Sequence, residues 1–188
     1  MIRPALVCQG FHRAFIEPSS PLFSESASLR RSVCEKLVHH ARSAGWLVVH
    51  SFLDTESVRT AGAPSIQTFA PLPSEPYFRQ KSLSAFGTPA FERTMAEIEM
   101  SPIFLISFAG IGAISATLLD AIERRLMLSV VVDAVADSER CGVQEADRLS
   151  AIETLARTCD SAVFSRDLLT LAATPLQTPP HHYISRAS

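Results

Sequence analysis

Ile103-Phe-Leu-Ile-Ser-Phe-Ala-Gly-Ile-Gly-Ala-Ile-Ser-Ala-Thr-Leu-Leu-Asp-Ala121 is the stretch that decides the fold. Ile103 to Phe108 is an apolar run with the length of a buried strand. The small residues Ala109 to Ala113 spell a tight turn, and Ile114, Thr117, Leu118, Ala121 and Ile122 then recur at helical spacing. Such a turn leaves the first N–H groups of the helix unpaired, and these favour negative charge. A strand, a glycine turn and a helix start make a common frame for an active site. Here no Cys, Ser, His or acid stands between Phe108 and Ile114. The frame lacks a reactive group.

The same alternation continues on both sides. Ala5 to Gln9 reads as a first buried strand, followed by a Pro- and Ser-containing loop to Ser24. Ser26 or Ser28 is expected to cap a helix with Leu29, Val33, Leu37 and Ala41 on its inner face, ended by Ala44-Gly45. Trp46 to Phe52 is a second strand. The stretch 55–77 has no clear period, as in a lid, a binding loop or an interface arm. Phe78 to Leu83 is a short strand, and Thr88 caps a helix carrying Pro89 at its first position, with Phe91, Met95 and Ile98 inward. Beyond the opening stretch, Leu128 to Asp133 is a strand and Gln144 to Thr158 an amphipathic helix. Ala162 to Ser165 is a last strand and Arg166 to Ala173 a short helix. Strands alternating with helices imply a three-layer α/β/α protein with a mostly parallel sheet of about six strands, Rossmann-like in character. One domain over 1–173 and a C-terminal tail over 174–188 are expected.

Composition narrows the function classes. The 188 residues carry a net charge of −2 with no basic block, which argues against nucleic acid and acidic membranes as partners. No apolar run approaches the roughly 20 residues that span a bilayer. Met1-Ile-Arg-Pro leads directly into a strand, so no signal peptide is expected and the location implied is cytoplasmic. Cys8, Cys34, Cys141 and Cys159 are widely spaced, the pattern of reduced thiols rather than of a disulfide framework or a zinc site.

Four segments resemble the isochorismatase-like cysteine hydrolase superfamily. Ala5-Leu-Val-Cys-Gln-Gly-Phe-His-Arg-Ala-Phe15 is similar to the family's opening ALLVIDMQNDF, and His40 to Val49 to its ARAAGIPVV segment. Ser84-Ala-Phe-Gly-Thr88 matches SAFxxT. Ile103 to Ala121, followed by Val130 to Ser138, resembles VVTGVATNVCVLATARDA followed by VVEDACAS. The resemblance implies an isochorismatase-like fold and a chemistry resting on an Asp–Lys–Cys triad. Cysteine attacks an electrophilic carbon, aspartate moves the proton, lysine stabilises charge and backbone N–H groups form an oxyanion hole. Carried over position by position, the aspartate falls on Gly10, the lysine on Gln80 and the cysteine on Ala113. Alanine cannot form a covalent intermediate. Lys81, one residue from the lysine position, is a possible stand-in, but neither Gly10 nor Ala113 has an acid or a thiol beside it. Cys8 lies two residues before Gly10, deeper in its strand, and reads as a small buried hydrophobe.

Other motifs have plainer readings. Gly110-Ile-Gly-Ala-Ile-Ser115 with Asp133 about 20 positions on imitates a dinucleotide fingerprint, yet its third glycine is a serine and the unit lies in mid-chain. His50 and Asp54 stand where the resemblance places metal ligands in nicotinamidase-like members, but the DxHxxxxxH spacing is absent. His39 and His40 are neighbours on a helix and cannot face one ion, and His181-His182 lies in the tail. No metal and no cofactor are expected. A serine nucleophile needs a base within reach, and His12 is the one histidine close to a strand end near the site, with no acid evident to orient it. Arg13 and Arg79 are candidates for holding an anion at the rim.

The resulting expectation is a catalytically inactive isochorismatase-like protein. Its pocket candidates are His12, Lys81, Ser84, Phe86, Gly110, Ile111 and Gly112, and it would act by binding a small molecule or as a subunit. Homo-oligomers (a dimer or tetramer), or pairing with an active relative, follow from the resemblance, with 55–77 and the helix after Ala113 as candidate contacts. The alternative is a hydrolase of C–N or ether bonds with relocated groups, such as His12 with a serine or water.

Overall fold

Leu6, Cys8, Phe104 and Ile106 project to one side of a sheet and Ala5, Val7, Ile103 and Leu105 to the other, and all eight are buried. Two apolar faces on one strand require cover on both sides, the hallmark of a parallel sheet. The computed structural model describes residues 3–54, 56, 65–98, 101–136, 144–159 and 161–171. Among them, strands β1 (Ala5–Gln9), β2 (Leu47–Leu53), β3 (Tyr77–Gln80), β4 (Ile103–Ser107), β5 (Leu128–Val135) and β6 (Ala162–Val163) form an all-parallel sheet. Its order is β3-β2-β1-β4-β5-β6. The expected three-layer α/β/α architecture is what forms. The tail, Cys141, His181, His182 and much of the 55–77 stretch lie outside the described residues.

Helix α1 (Glu25–Ser43) and the short α5 (Ser165–Leu169) cover one face. Helices α2 (Pro89–Ala96), α3 (Ile111–Glu123) and α4 (Glu145–Thr158) cover the other. The crossover from β2 to β3 uses no long helix among its described residues. Instead a 3-10 turn at Gln67–Phe69 drives Phe69 into the α1 face. There its ring centroid lies 4.4 Å from that of Phe11, and Phe11 in turn lies 4.3 Å from Phe108. These three rings seal the layer beneath the end of β1.

Local chemistry corrects several expectations. Ser24, not Ser26 or Ser28, caps α1, its hydroxyl accepting from the Ala27 N–H at 3.1 Å. The inner face of α1 is Ala27, Cys34, Leu37, Val38 and Ala41, while Leu29 is 62% exposed. Leu29 itself lies about 200° round the helix from Ala27, while Leu37 and Ala41 face inward as expected. Ile122 likewise faces outward, 43% exposed, with Ile114, Thr117, Leu118 and Ala121 inward. β3 stops at Gln80, short of the expected Leu83. Thr88 holds the cap position of α2 without capping it, because its hydroxyl donates to the Arg79 carbonyl at 3.3 Å.

The pairing of β4 with β5 slips after Leu105, from Leu105–Val130 to Ser107–Val135. The bulge reverses side-chain parity, so Val132 and Val135 both face the α3 side. Asp133, alternating with Val131, faces α5, where its carboxylate accepts from the Ser165 N–H at 2.8 Å and the Ser165 hydroxyl at 2.5 Å. Asp133 is therefore a clamp on a helix start, not a nucleotide-ribose acceptor. Asp133→Ala is expected to lower stability by about 1–2 kcal/mol, as loss of a capping acid does. Urea unfolding would measure it.

Candidate functional site

The strand order reverses between β1 and β4, and the loops leaving those strands define the place where open α/β sheets hold ligands. The two loops meet closely here. Gly10, leaving β1, has φ +73°, and a Cβ built on it would lie 2.7 Å from the Ala109 Cβ and 3.0 Å from the Ala109 nitrogen. Gly110, with φ +86°, occupies the N-cap of α3, and Ala113 in its first turn is fully buried. Gln80 ends β3 and is also buried.

Leu83 touches Gln80 and the neighbours of the other positions. Its carbonyl accepts from the Gln9 amide at 3.3 Å and from the Gln80 amide at 3.4 Å. Its side chain lies next to Gly112, whose added Cβ would sit 3.7 Å from the Leu83 Cδ1. The Gln9 amide also donates to the Thr117 hydroxyl at 3.0 Å, and its carbonyl accepts from the Ser107 hydroxyl at 3.3 Å. The Gln80 carbonyl accepts from the Ser51 hydroxyl at 2.5 Å. Thr117 accepts again from the Ala85 N–H at 3.1 Å. Gln9, Ser51, Gln80, Ser107 and Thr117 are all buried, and each has hydrogen-bond partners among the others or in the chain between Leu83 and Ala85. The end of the sheet is thus cross-linked by a neutral network of amides and hydroxyls, satisfied from within.

The remaining candidates distribute around this network. Ser84 caps a 3-10 turn by accepting from the Phe86 N–H at 3.2 Å. Phe86 packs edge-on to Phe91 at 5.1 Å beneath the Arg124 guanidinium. Both serve the chain's own packing. Lys81 and Gly112 are exposed, and Ile111 is half-buried against the α3-side core. The His12 imidazole sits 5.4 Å from the Phe52 ring and 5.9 Å from that of Phe15, and Phe15 belongs to the α1-side core. Ser84, by contrast, is bonded into the turn whose Phe86 belongs to the α3-side core. No His, Cys, Asp or Glu cluster suited to a metal occurs among the described residues. Burial pushes the thiols of Cys8 and Cys34 well above their ordinary pKa, so neither supplies a thiolate at neutral pH.

A family profile described as Isochorismatase domain matches residues 4–162, most of the chain. The chain belongs to the isochorismatase family. The solved structures similar to it include a cysteine hydrolase from Pseudomonas syringae pv. phaseolicola 1448A, with 17% identity and a TM-score of 0.77 over 89% of this chain and 91% of that one. N-carbamoylsarcosine amidase from Thermoplasma acidophilum aligns at 20% identity and TM-score 0.66, covering 87% and 96%. The MAR1 ribonuclease from Caenorhabditis elegans aligns at 15% and 0.64, covering 89% and 80%. At such identities the likeness is one of fold. No functionally curated protein matches the sequence significantly. No helix among the described residues is long and apolar enough to cross a membrane.

One charged site escaped the sequence reading. Glu75, just before β3, accepts from Arg42 Nε at 2.8 Å and Nη2 at 2.9 Å, from His50 Nε2 at 2.8 Å, and from the Leu72 N–H at 3.0 Å. Arg42 also donates to the carbonyls of Thr68 and Ala70. Burial raises the Glu75 pKa, but the Arg42 bonds, the Leu72 N–H and His50 outweigh it and hold the carboxyl at about 2. Burial lowers the pKa of His50, against the pull of Glu75. The clasp ties the β2–β3 crossover to the end of α1.

Proposed function

We propose that this member of the isochorismatase family does not hydrolyse by the family's cysteine mechanism. It acts instead by binding or as a subunit, in a homo-oligomer or beside an active relative. The observation that carries this reading is the neutral network at the carboxyl end of the sheet. The positions that the resemblance assigns to aspartate, lysine and cysteine are Gly10, Gln80 and Ala113. Around them stand amides and hydroxyls bonded to one another rather than an acid, a cation and a thiolate. Nucleophilic attack needs an activated group, and a buried high-pKa Cys8 is not one. The named activities of the structural relatives run from amidase to ribonuclease, so the fold selects no substrate.

The test is turnover. Purified protein at pH 7.5, assayed against primary amides, N-carbamoyl compounds and vinyl ethers, is expected to show no rate above buffer. The rival is a hydrolase with relocated groups. It predicts turnover that survives Cys8→Ala and vanishes in His12→Ala, and that result would replace this reading.

A further inference from the structure

His50 is fully buried in β2, and its ring makes a single hydrogen bond among the described residues, from Nε2 to Glu75 at 2.8 Å. A carboxylate only accepts, so the ring proton is assigned to Nε2 and Nδ1 carries a lone pair. That Nδ1 is buried without a hydrogen-bond partner among the described residues. A second proton would make it a charged donor with nothing to bond, which is the costlier state. The surroundings offer no relief. Glu75 reaches the ring from the crossover and Arg42 holds Glu75 from α1. Cys8 on β1 and Tyr77 on β3 stand in register with His50. The Phe52 ring lies parallel to it at 6.1 Å, and His12 packs on that same ring at 5.4 Å. Among these groups the carboxylate of Glu75 is the one anion, and Nε2 already uses it. We propose that His50 is a pH-operated latch, whose protonation at Nδ1 releases the 65–76 crossover from the edge of the sheet while β1 and β4 keep their places.

The position of the latch makes a local release possible. β3 is an outer strand and pairs with β2 alone. Glu75 gathers the bonds from Arg42, His50 and the Leu72 N–H onto one side chain. Elsewhere the described crossover is held by the Phe69 ring, the Ser65–His12 bridge and one bond from the Ile66 N–H to the Phe11 carbonyl. Arg42 adds bonds to the Thr68 and Ala70 carbonyls, but through the same guanidinium that grips Glu75. Burial holds the His50 pKa below its ordinary 6.5, against the pull of Glu75, in agreement with the geometry. The closed latch is therefore favoured above pH 6.5 and loses ground as pH falls, until the folded ring itself takes the proton. The crossover runs straight into β3, which ends at Gln80 of the neutral network, so release reaches the candidate site.

Amide hydrogen exchange on the full chain reads the latch at the Leu72 N–H, which donates to Glu75. One linked proton raises the opening equilibrium about three- to fivefold between pH 6.5 and 5.5, after correction for intrinsic exchange. Leu72 is expected to be less protected than the amides of β4 throughout that range. His50→Gln keeps a donor for Glu75 but does not titrate, and is expected to make Leu72 protection independent of pH there. Circular dichroism checks that the variant folds. The wild type supplies a second reading that needs no variant, because the rise in opening levels off where the His50 ring titrates by NMR. Equal protection of Leu72 and β4 overturns the inference, since release is then global unfolding. A pH response that persists in His50→Gln, or that levels off away from the His50 titration, overturns it as well.

Discussion

Arg42→Met is expected to lower the unfolding free energy by about 3 kcal/mol at pH 7.5, with urea denaturation as the measurement. The value follows from what the change leaves behind rather than from what the pair contributes. Removing one partner of a buried ion pair strands the other charge, at a cost of about 3–5 kcal/mol, and Arg42 is partly accessible, which favours the lower end. Glu75→Gln is expected to lose less, because the charge it strands is Arg42, which is partly accessible and keeps the Thr68 and Ala70 carbonyls as acceptors. The same clasp makes the protein acid-labile in two steps. His50 has a folded pKa below its ordinary 6.5, so acidification below about pH 6.5 protonates the unfolded chain first and stability falls. Glu75 titrates at about 2 when folded against 4.5 when free, so its contribution is full above 4.5 and is lost as pH falls toward 2. The second step is expected to shrink in Glu75→Gln. A wild type equally stable at pH 7 and pH 3 would refute the linkage.

The fold was legible because its signals are local. Apolar runs of strand length, glycine after Ala44 and the small-residue turn at Ala109–Ala113 each specify one element. A parallel sheet then leaves few ways to connect them. The errors were errors of phase. Leu29 and Ile122 looked inward because a stripe counted from the wrong leucine or isoleucine still shows a period near 3.6. Burial, not periodicity, fixes the register.

The end of the sheet at which the candidate residues stand was legible, and the bonding there was not. Sequence order placed Gly10, Gln80 and the start of α3 at one end of the sheet, where Leu83 touches Gln9, Gln80 and Gly112. Gln9 was the missed residue. A polar side chain ending an otherwise apolar strand carried the signal, since a buried amide must find partners. The partners themselves, Thr117 and Ser107, lie about 100 residues away, and no spacing rule links them. Glu75 was harder still, sitting in a stretch without period, where only tertiary contact reveals that Arg42 and His50 converge on it.

Gly10→Ala is expected to destabilise the chain by about 2–4 kcal/mol, and Gly10→Asp by more. Two penalties combine. Backbone at φ +73° costs a residue with a Cβ roughly 1–2 kcal/mol. A Cβ 2.7 Å from the Ala109 Cβ and 3.0 Å from its nitrogen adds overpacking of about 1–3 kcal/mol, and backbone atoms cannot swing aside as a flexible side chain would. Gly45 separates the two. Its φ is +70°, yet nothing lies within 4 Å of an added Cβ, so Gly45→Ala is expected to cost only the conformational part, about 1 kcal/mol. Chemical denaturation of both variants gives the difference directly, and equal losses would mean that the contact with Ala109 is not tight. The comparison bears on chemistry as well. Placing an aspartate at position 10 requires the β1 and β4 loops to part, so Gly10→Asp/Gln80→Lys/Ala113→Cys is expected to lose stability without gaining turnover unless Ala109 also changes, for instance to glycine.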